Sequence, residues 1–403
     1  MVFINRTIPA GISWEIKRSY TYAASWIDFN KDGLTDLVDA PHWMQRGPSQ
    51  LKIYINQGDG TFLDSAPLIQ TDYNQINTDN HGMAWADFDN DGDQDVAFNS
   101  GGPTYSAFHV NEGGKLVEKA KELGVDGAIG NRNVPADSHP LRGRGATWVD
   151  VNRDGRLDLI HSNFQMTGAY FDSPIVEELA RRGFDQTALL IQQPNKTFKQ
   201  KVNFLGEPIY SAEVDPADLL ADNTLDLLVS QNYRSKLTAY KAVGGNQFAK
   251  QLNRLPVELD VSSSSFIGDI AVGNFIDDLT PEIFILPEYT PTGPVSPILL
   301  TYNRTTQSYV DVAEEVGLGR RVYGNGLVTA DFDNNGHLDI FITTWEVNQG
   351  NYTKRVGNSI LYRNTGNGTF QQVPGNAGAN PVRRSQAWLP GDFIGYTGDK
   401  QRV

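Results

Sequence analysis

An all-β fold, a seven-bladed β-propeller of four-stranded blades, is what this 403-residue sequence predicts. Three observations predict it. A nine-residue acidic loop recurs four times. A strand-turn-strand signature recurs beside it. The two ends of the chain hold incomplete units that complement each other. Length alone suggests two or three domains, but a closed ring of repeats uses all of it as one.

In its fullest copy the loop reads Asp87-Phe88-Asp89-Asn90-Asp91-Gly92-Asp93-Gln94-Asp95. Carboxylates at its first, third, fifth and ninth positions can converge on one hard cation. The seventh position, Asp93, adds its backbone carbonyl, and Gly92 allows the sharp turn. Calcium fits best, because it accepts many oxygens in flexible geometry. The pattern returns at Asp28, Asn30, Asp32 and Asp36, around Gly33, with Leu34 seventh. It returns at Asp150, Asn152, Asp154 and Asp158, around Gly155, with Arg156 seventh. The last full copy is Asp331, Asp333, Asn335 and Asp339, around Gly336, with His337 seventh. Such residues alone are ordinary turn chemistry; their recurrence points to metal. The expectation is about four calcium ions, one per loop.

The loop matches the first nine positions of an EF-hand and then departs. Position twelve is Asp39, Phe98, His161 and Ile342 where an EF-hand has Glu. The flanks are short apolar runs rich in β-branched and aromatic residues, such as Met83-Ala84-Trp85-Ala86 before and Asp339-Ile340-Phe341-Ile342 after. They read as strands, so each loop is a strand-to-strand turn. Trp26, Trp85 and Trp148 recur two residues before three loops and read as wedges between blades.

Degenerate copies start at Asp218, with Leu220 at the third position, and at Asn274, with Ile276 there. Both are expected to be metal-free. A seventh trace runs from Gly391 to Asp399. The second signature is Leu51–Asn56, a Gln-Gly-Asp-Gly turn, then Thr61-Phe62; residues Ser359–Phe370 repeat it. A copy at Val2–Thr7 has no loop before it. The C-terminus is therefore expected to supply the inner strands of the closing blade and the N-terminus its outer strands. The blade limits are 1–16 (outer strands of the closing blade), 17–70, 71–125, 126–203, 204–256, 257–316, 317–376 and 377–403 (inner strands of the closing blade). Ser173–Gly183, with a capping Ser, Pro174 and a terminal Gly, predicts a short helix inserted in the third blade.

Together these loops, each after an Ala-Trp-x-Asp-Phe-like strand, resemble the FG-GAP/VCBS repeats that form the propeller of integrin α chains. Residues Lys115–Val125 and Tyr309–Leu318 look like units of the cartilage acidic protein group and its bacterial relatives. The resemblance spans nearly the whole chain. It implies a seven-bladed propeller whose loops bind calcium; an adhesion or assembly role is a separate expectation.

The net charge of −14 argues against a nucleic-acid partner. There are no cysteines, hence no disulfide and no thiolate chemistry. No apolar run is long enough for a membrane span, and Met1–Arg6 does not read as a signal peptide. Sites of calcium type favour an extracellular or cell-surface protein. The function expected is a non-catalytic, calcium-stabilised module that binds another protein. A lectin-like propeller binding a surface glycan is the alternative. A lyase using His81, His139, Arg142 and Arg144 is a weaker one, because no nucleophile elbow, zinc helix or phosphate loop is present. Partner contacts are expected on the long connections of the face opposite the metal loops, through Trp43, Tyr170, Trp345 and Tyr352. Nearer the axis, the residues six before each loop are Tyr22, His81, Arg144, Ala212, Gly268, Asn325 and Gln386. That mixed set suits an anion or a sugar, with His81 and Arg144 as its contacts.

Overall fold

Six four-stranded antiparallel blades, each paired in chain order, make up the computed structural model. The first holds β1 (Thr21–Ile27), β2 (Asp36–Pro41), β3 (Lys52–Asn56) and β4 (Phe62–Asp64). The second holds β5 (Asn80–Ala86), β6 (Asp95–Ser100), β7 (Ala107–Asn111) and β8 (Leu116–Glu118), followed by the single-turn helix α1 (Ala120–Leu123). The third holds β9 (Leu141–Val149), β10 (Asp158–Gln165), β11 (Ala188–Gln192) and β12 (Phe198–Lys201). The fourth holds β13 (Ser211–Ala217), β14 (Asp226–Gln231), β15 (Lys236–Gly244) and β16 (Gln247–Lys250). The fifth holds β17 (Ile267–Gly273), β18 (Glu282–Pro287), β19 (Ile298–Asn303) and β20 (Ser308–Asp311). In the sixth, β21 (Gly324–Ala330) and β22 (Asp339–Thr344) are joined to β25 (Ile360–Asn364) and β26 (Phe370–Gln372) through a small hairpin of β23 (Val347–Gln349) and β24 (Tyr352–Lys354).

The residues described are 10, 21–41, 51–65, 80–100, 106–125, 141–165, 186–201, 203–207, 209, 211–231, 236–251, 255, 267–276, 280–287, 294–322, 324–344, 347–349, 352–354 and 359–375. Among them six blades are present, which corrects the expectation of seven. The seventh loop trace has Gly391 and Phe393 where the first and third oxygens would stand, so it lacks the side chains that fold the other loops. Apart from residue 10, the segments 1–16 and 377–403 lie outside the described residues, as does the expected helix Ser173–Gly183. Among the described residues no helix is long and apolar enough to cross a membrane.

The chain divides into two compact units. One comprises Met1–Asn5, Asp215–Lys241 and Lys250–Val403, the other Arg6–Val214 and Ala242–Ala249. Each is held by apolar residues from facing blades. In the second unit Phe88, Phe108, Trp148 and Phe198 form one aromatic cluster with Ala84, Leu159 and Leu190. Trp148 stacks near Phe88 and its indole N–H donates to Ala84 O at 3.2 Å. Trp85 meets Phe29 of the preceding blade edge-on. The repeated tryptophans of blades two and three are therefore wedges. Trp26 is 39% exposed and lies beside Phe62 of its own blade.

One device recurs in both units. The segment ahead of a blade latches that blade's outer strand through the backbone of a phenylalanine. Phe62 N donates to Ala10 O at 2.7 Å, Phe248 N to Phe204 O at 2.8 Å, and Phe370 N to Val316 O at 2.7 Å. Each latch satisfies an N–H on a strand that would otherwise be an open edge.

Candidate metal centres

Each loop joins the first two strands of its blade. The register fixes where it starts and stops: Ile27 faces Asp36, Ala86 faces Asp95, Val149 faces Asp158 and Ala330 faces Asp339. The ninth carboxylate is thus the first residue of the second strand, and it is buried in every loop. One oxygen accepts the N–H of loop residue two: Phe29 at 2.9 Å, Phe88 at 3.3 Å, Val151 at 3.1 Å and Phe332 at 3.0 Å. The other accepts an N–H at the end of the third strand: Asn56, Asn111, Gln192 and Asn364, at 2.7–2.9 Å. This side chain is a brace between loop and sheet as well as a candidate ligand. The degenerate loops keep it. Leu219 N donates to Asp226, and Phe275 N to Glu282. A carboxylate at the ninth position of those degenerate copies was the sequence signal for this role.

The first carboxylate closes the loop on itself. Asp28, Asp87, Asp150 and Asp331 each accept the N–H of position five on one oxygen and of the glycine on the other. Asp218 does the same with Asp222 and Asn223. Position five in turn accepts the N–H of position seven, as from Leu34, Asp93, Arg156 and His337. These bonds offset the left-handed backbone at position four, where φ is 60° at Lys31, 58° at Asn90, 57° at Arg153, 51° at Ala221 and 55° at Asn334. The loop conformation is therefore built by the chain's own carboxylates and does not by itself require a metal.

Position three discriminates among the copies. Asp89 Oδ1 and Asp333 Oδ1 are buried and have no hydrogen-bond partner. Asp87, Asp89 and Asp95 bring one oxygen each within 4.8 Å of one another, and so do Asp331, Asp333 and Asp339. A buried carboxylate oxygen without a donor costs about 1–3 kcal/mol or more, and a divalent cation would remove that cost. In the first and third loops the third residue is Asn, and its oxygen accepts an N–H inside the loop, from Asp32 at 3.1 Å and from Asp154 at 3.0 Å. Residues of one's own chain already offer cations. Lys196 reaches Asp89 at 3.0 Å, Lys31 reaches Asp93 at 2.7 Å, and Arg363 pairs with Asp333. In the fourth blade Lys241 faces Asp226 across the strands and pairs with Asp222. There an ammonium supplies the positive charge, and Leu220 supplies no oxygen.

A profile of the FG-GAP-like repeat matches residues 18–98, the first and second loops with their strands. Residues 18–98 thus carry an FG-GAP-like repeat, within four-stranded blades of the β-propeller kind. Among curated proteins none matches. Solved structures similar to this chain include the periplasmic gluconolactonase of Pseudomonas aeruginosa, at 12% identity over 89% of this chain and 86% of that one, with a TM-score of 0.49. A putative 6-phosphogluconolactonase from Bacteroides uniformis is similar at 10% identity over 87% and 83%, TM-score 0.48. BBS1N, solved in complex with ARL6DN, is similar at 11% identity over 88% and 83%, TM-score 0.43. Two of these similar proteins are named as lactonases, which is said of them alone; the expectation of a non-catalytic chain is not retained. The likeness assigns no catalytic residue to this chain.

The remaining expected contacts fall as follows. Trp43, Tyr170 and Trp345 lie outside the described residues. Tyr352 opens β24 and pairs with Gln349. His81 lies on β5 and Arg144 on β9, each at a β-bulge: the pairing steps from Asn80 to Gly82 and from Gly145 to Gly143. The Asn-x-Thr triplets at Asn195 and Asn367 are turn chemistry. Asn195 Oδ1 accepts from Thr197 and Asn367 Oδ1 from Thr369, as Asp59 Oδ1 does from Thr61.

Burial sets the titration of the ninth carboxylates. It pushes Asp95 and Asp158 up to about 7 and Asp226 to about 6, and it raises Asp36 and Asp339. Unfolded aspartates titrate near 4. Without a bound cation the folded chain thus holds these protons more tightly than the unfolded chain, a stabilisation complete below about pH 4 and lost as pH rises through about 7. A bound cation needs the ionised form. Calcium affinity at the second loop should therefore weaken by up to about tenfold per pH unit below 7. Calorimetric titration at pH 7.5, 6.5 and 5.5 measures it, and a flat profile rules this out.

Proposed function

We propose that the chain is a calcium-binding FG-GAP propeller that serves as an extracellular or cell-surface binding module for another protein or a surface glycan. The observation that carries the metal reading is the pair of buried oxygens without donors, Asp89 Oδ1 and Asp333 Oδ1, each inside a three-carboxylate cluster. The fit is in the donor set: several hard oxygens, no sulfur, and a loop already folded. In the second loop Asp87, Asp89, Asp91 and Asp95 would hold the ion with the Asp93 carbonyl. In the last, Asp331, Asp333, Asn335 and Asp339 would hold it with that of His337. Asp28, Asn30, Asp32 and Asp36, with Leu34, and Asp150, Asn152, Asp154 and Asp158, with Arg156, are the other two sets. Their Asn at position three is neutral and its oxygen already accepts an N–H inside the loop, so their sites are the weaker ones. The ion supplies charge neutralisation and cross-links loop to sheet.

The binding role rests on the long connections opposite the metal loops, which a bare propeller does not need. Asp89→Ala and Asp333→Ala should each remove one ion in a calcium titration, whereas Leu220→Ala should remove none. A parent that binds no calcium ends the metal reading. For the partner, a pull-down beside a glycan array is read with Tyr170→Ala and Trp345→Ala. Both should weaken capture while Tm stays within about 2 °C; unchanged capture ends the assignment of that face.

A further inference from the structure

The turn between the third and fourth strands is built alike in three blades. It reads Asn56-Gln57-Gly58-Asp59-Gly60-Thr61-Phe62 in the first and Gln192-Gln193-Pro194-Asn195-Lys196-Thr197-Phe198 in the third. In the sixth it reads Asn364-Thr365-Gly366-Asn367-Gly368-Thr369-Phe370. In each, the side chain of Asp59, Asn195 or Asn367 accepts from the threonine two residues on. The position between them is left-handed: φ is 85° at Gly60, 75° at Gly368 and 66° at Lys196. Glycine takes that backbone without strain, and lysine does not. The third blade therefore holds a lysine where its two counterparts hold glycine, at a conformational cost of the kind kept at functional positions.

That position points at the third residue of the loop in the preceding blade. A Cβ added to Gly368 would lie 2.9 Å from Ile276 Cγ2, the third residue of the loop that starts at Asn274. Lys196 reaches the equivalent residue of the second loop, with Nζ 3.0 Å from Asp89 Oδ2. The two contacts lie in different compact units and agree. The Asp89 side chain is 12% exposed and that of Lys196 54%, so the ammonium can leave without unpacking the blade. Gln192, at the base of the same turn, is buried and donates to Phe88 O at 2.8 Å. The turn therefore stays anchored to the second loop when the lysine goes. The other lysine at this loop differs. Lys31 Nζ lies 2.7 Å from Asp93 Oδ1, and a residue at position seven offers calcium its backbone carbonyl. Lys31 thus sits on a carboxylate that the ion does not need, whereas Lys196 sits on one that it does.

We propose that Lys196 is an internal competitor for calcium at the second loop. Its ammonium holds Asp89 when no ion is bound, and calcium takes Asp89 and releases the lysine. Two cations on one carboxylate repel each other strongly at such short range, so the two occupancies exclude one another. The fourth blade shows the same chemistry made permanent: Lys241 pairs with Asp222, and Leu220 stands where the third oxygen would be. The competition sets the affinity of the loop with five aspartates, so that it fills at higher calcium than its charge alone dictates. It also couples occupancy of that loop to a lysine freed on the outer turn of the third blade. The competition rests on the calcium reading above and deepens it, by naming the residue that tunes the site.

The test titrates the full chain with calcium by calorimetry, the second loop being the step that Asp89→Ala removes. Lys196→Met keeps the stem and the backbone strain and removes the charge. It should tighten that step about fivefold, the upper end for one exposed ion pair. Lys31→Met should change it by less than about twofold. Asp89→Ala and the double variant Asp89→Ala/Lys196→Met should bind alike, which places the effect at Asp89. A second measurement uses the parent alone: amine acetylation with and without calcium, read by peptide mass spectrometry. Calcium should raise labelling of Lys196 severalfold and leave that of Lys31 unchanged. If calcium binds the parent but Lys196→Met binds it no more tightly, or labelling of Lys196 does not rise, the competition is wrong and the metal reading stands. A parent that binds no calcium ends both.

Discussion

On the calcium reading proposed above, chelation should lower the melting temperature of this protein by about 6 °C. A ligand that binds only the folded state at about a hundred times its Kd contributes about 2.7 kcal/mol. With an ion in each, the two clusters with oxygens lacking donors would supply about 5 kcal/mol between them. Removing calcium also restores repulsion within Asp87, Asp89, Asp91, Asp93 and Asp95, against which Lys31 and Lys196 are the nearby cations. The fall should be largest above pH 7, where the ninth carboxylates are ionised, and smaller near pH 5, where burial keeps Asp95 and Asp158 protonated. Differential scanning calorimetry in calcium and in excess chelator reads the difference. Magnesium should restore less of it, since it demands a tighter octahedral shell. Equal melting with and without chelator would remove calcium from the account of stability.

Gly317→Ala should be among the most damaging single-methyl changes in the chain, at about 3 kcal/mol. Gly317 has φ of 92°, where an L side chain is strained, and its added Cβ would stand 2.5 Å from Phe370 O. That oxygen belongs to the residue whose N–H latches onto Val316 O. The methyl group therefore strains the turn and pushes apart the outer strand it holds. Gly113→Ala is the control. Gly113 also has positive φ, 66°, but nothing lies within 4 Å of its added Cβ, so only about 1 kcal/mol should be lost. Urea unfolding of both variants separates the two terms. Equal losses would show that the latch carries no energy.

The sequence by itself determined the repeat unit and its chemistry. The loop spacing placed Asp28, Asp87, Asp150 and Asp331 at strand ends, because a carboxylate that binds two N–H groups four and five residues on can act only in a tight turn. The short apolar runs around Ile53, Phe108, Leu189 and Leu361 read as strands, and all four residues are buried in third strands, where both faces are covered. What the sequence did not carry was whatever depends on distant residues. The blade count was misjudged by trusting the weak Gly391 trace, where composition resembled a repeat without its folding side chains. The brace made by Asp95 and Asp158 became visible only once Asn111 and Gln192 came beside them, from 16 and 34 residues away. Lys241 became a counter-charge for Asp222 only through strand register. The bulges at His81 and Arg144 exist only in relation to partner strands, because a bulge is a mismatch between two segments and no single segment encodes it.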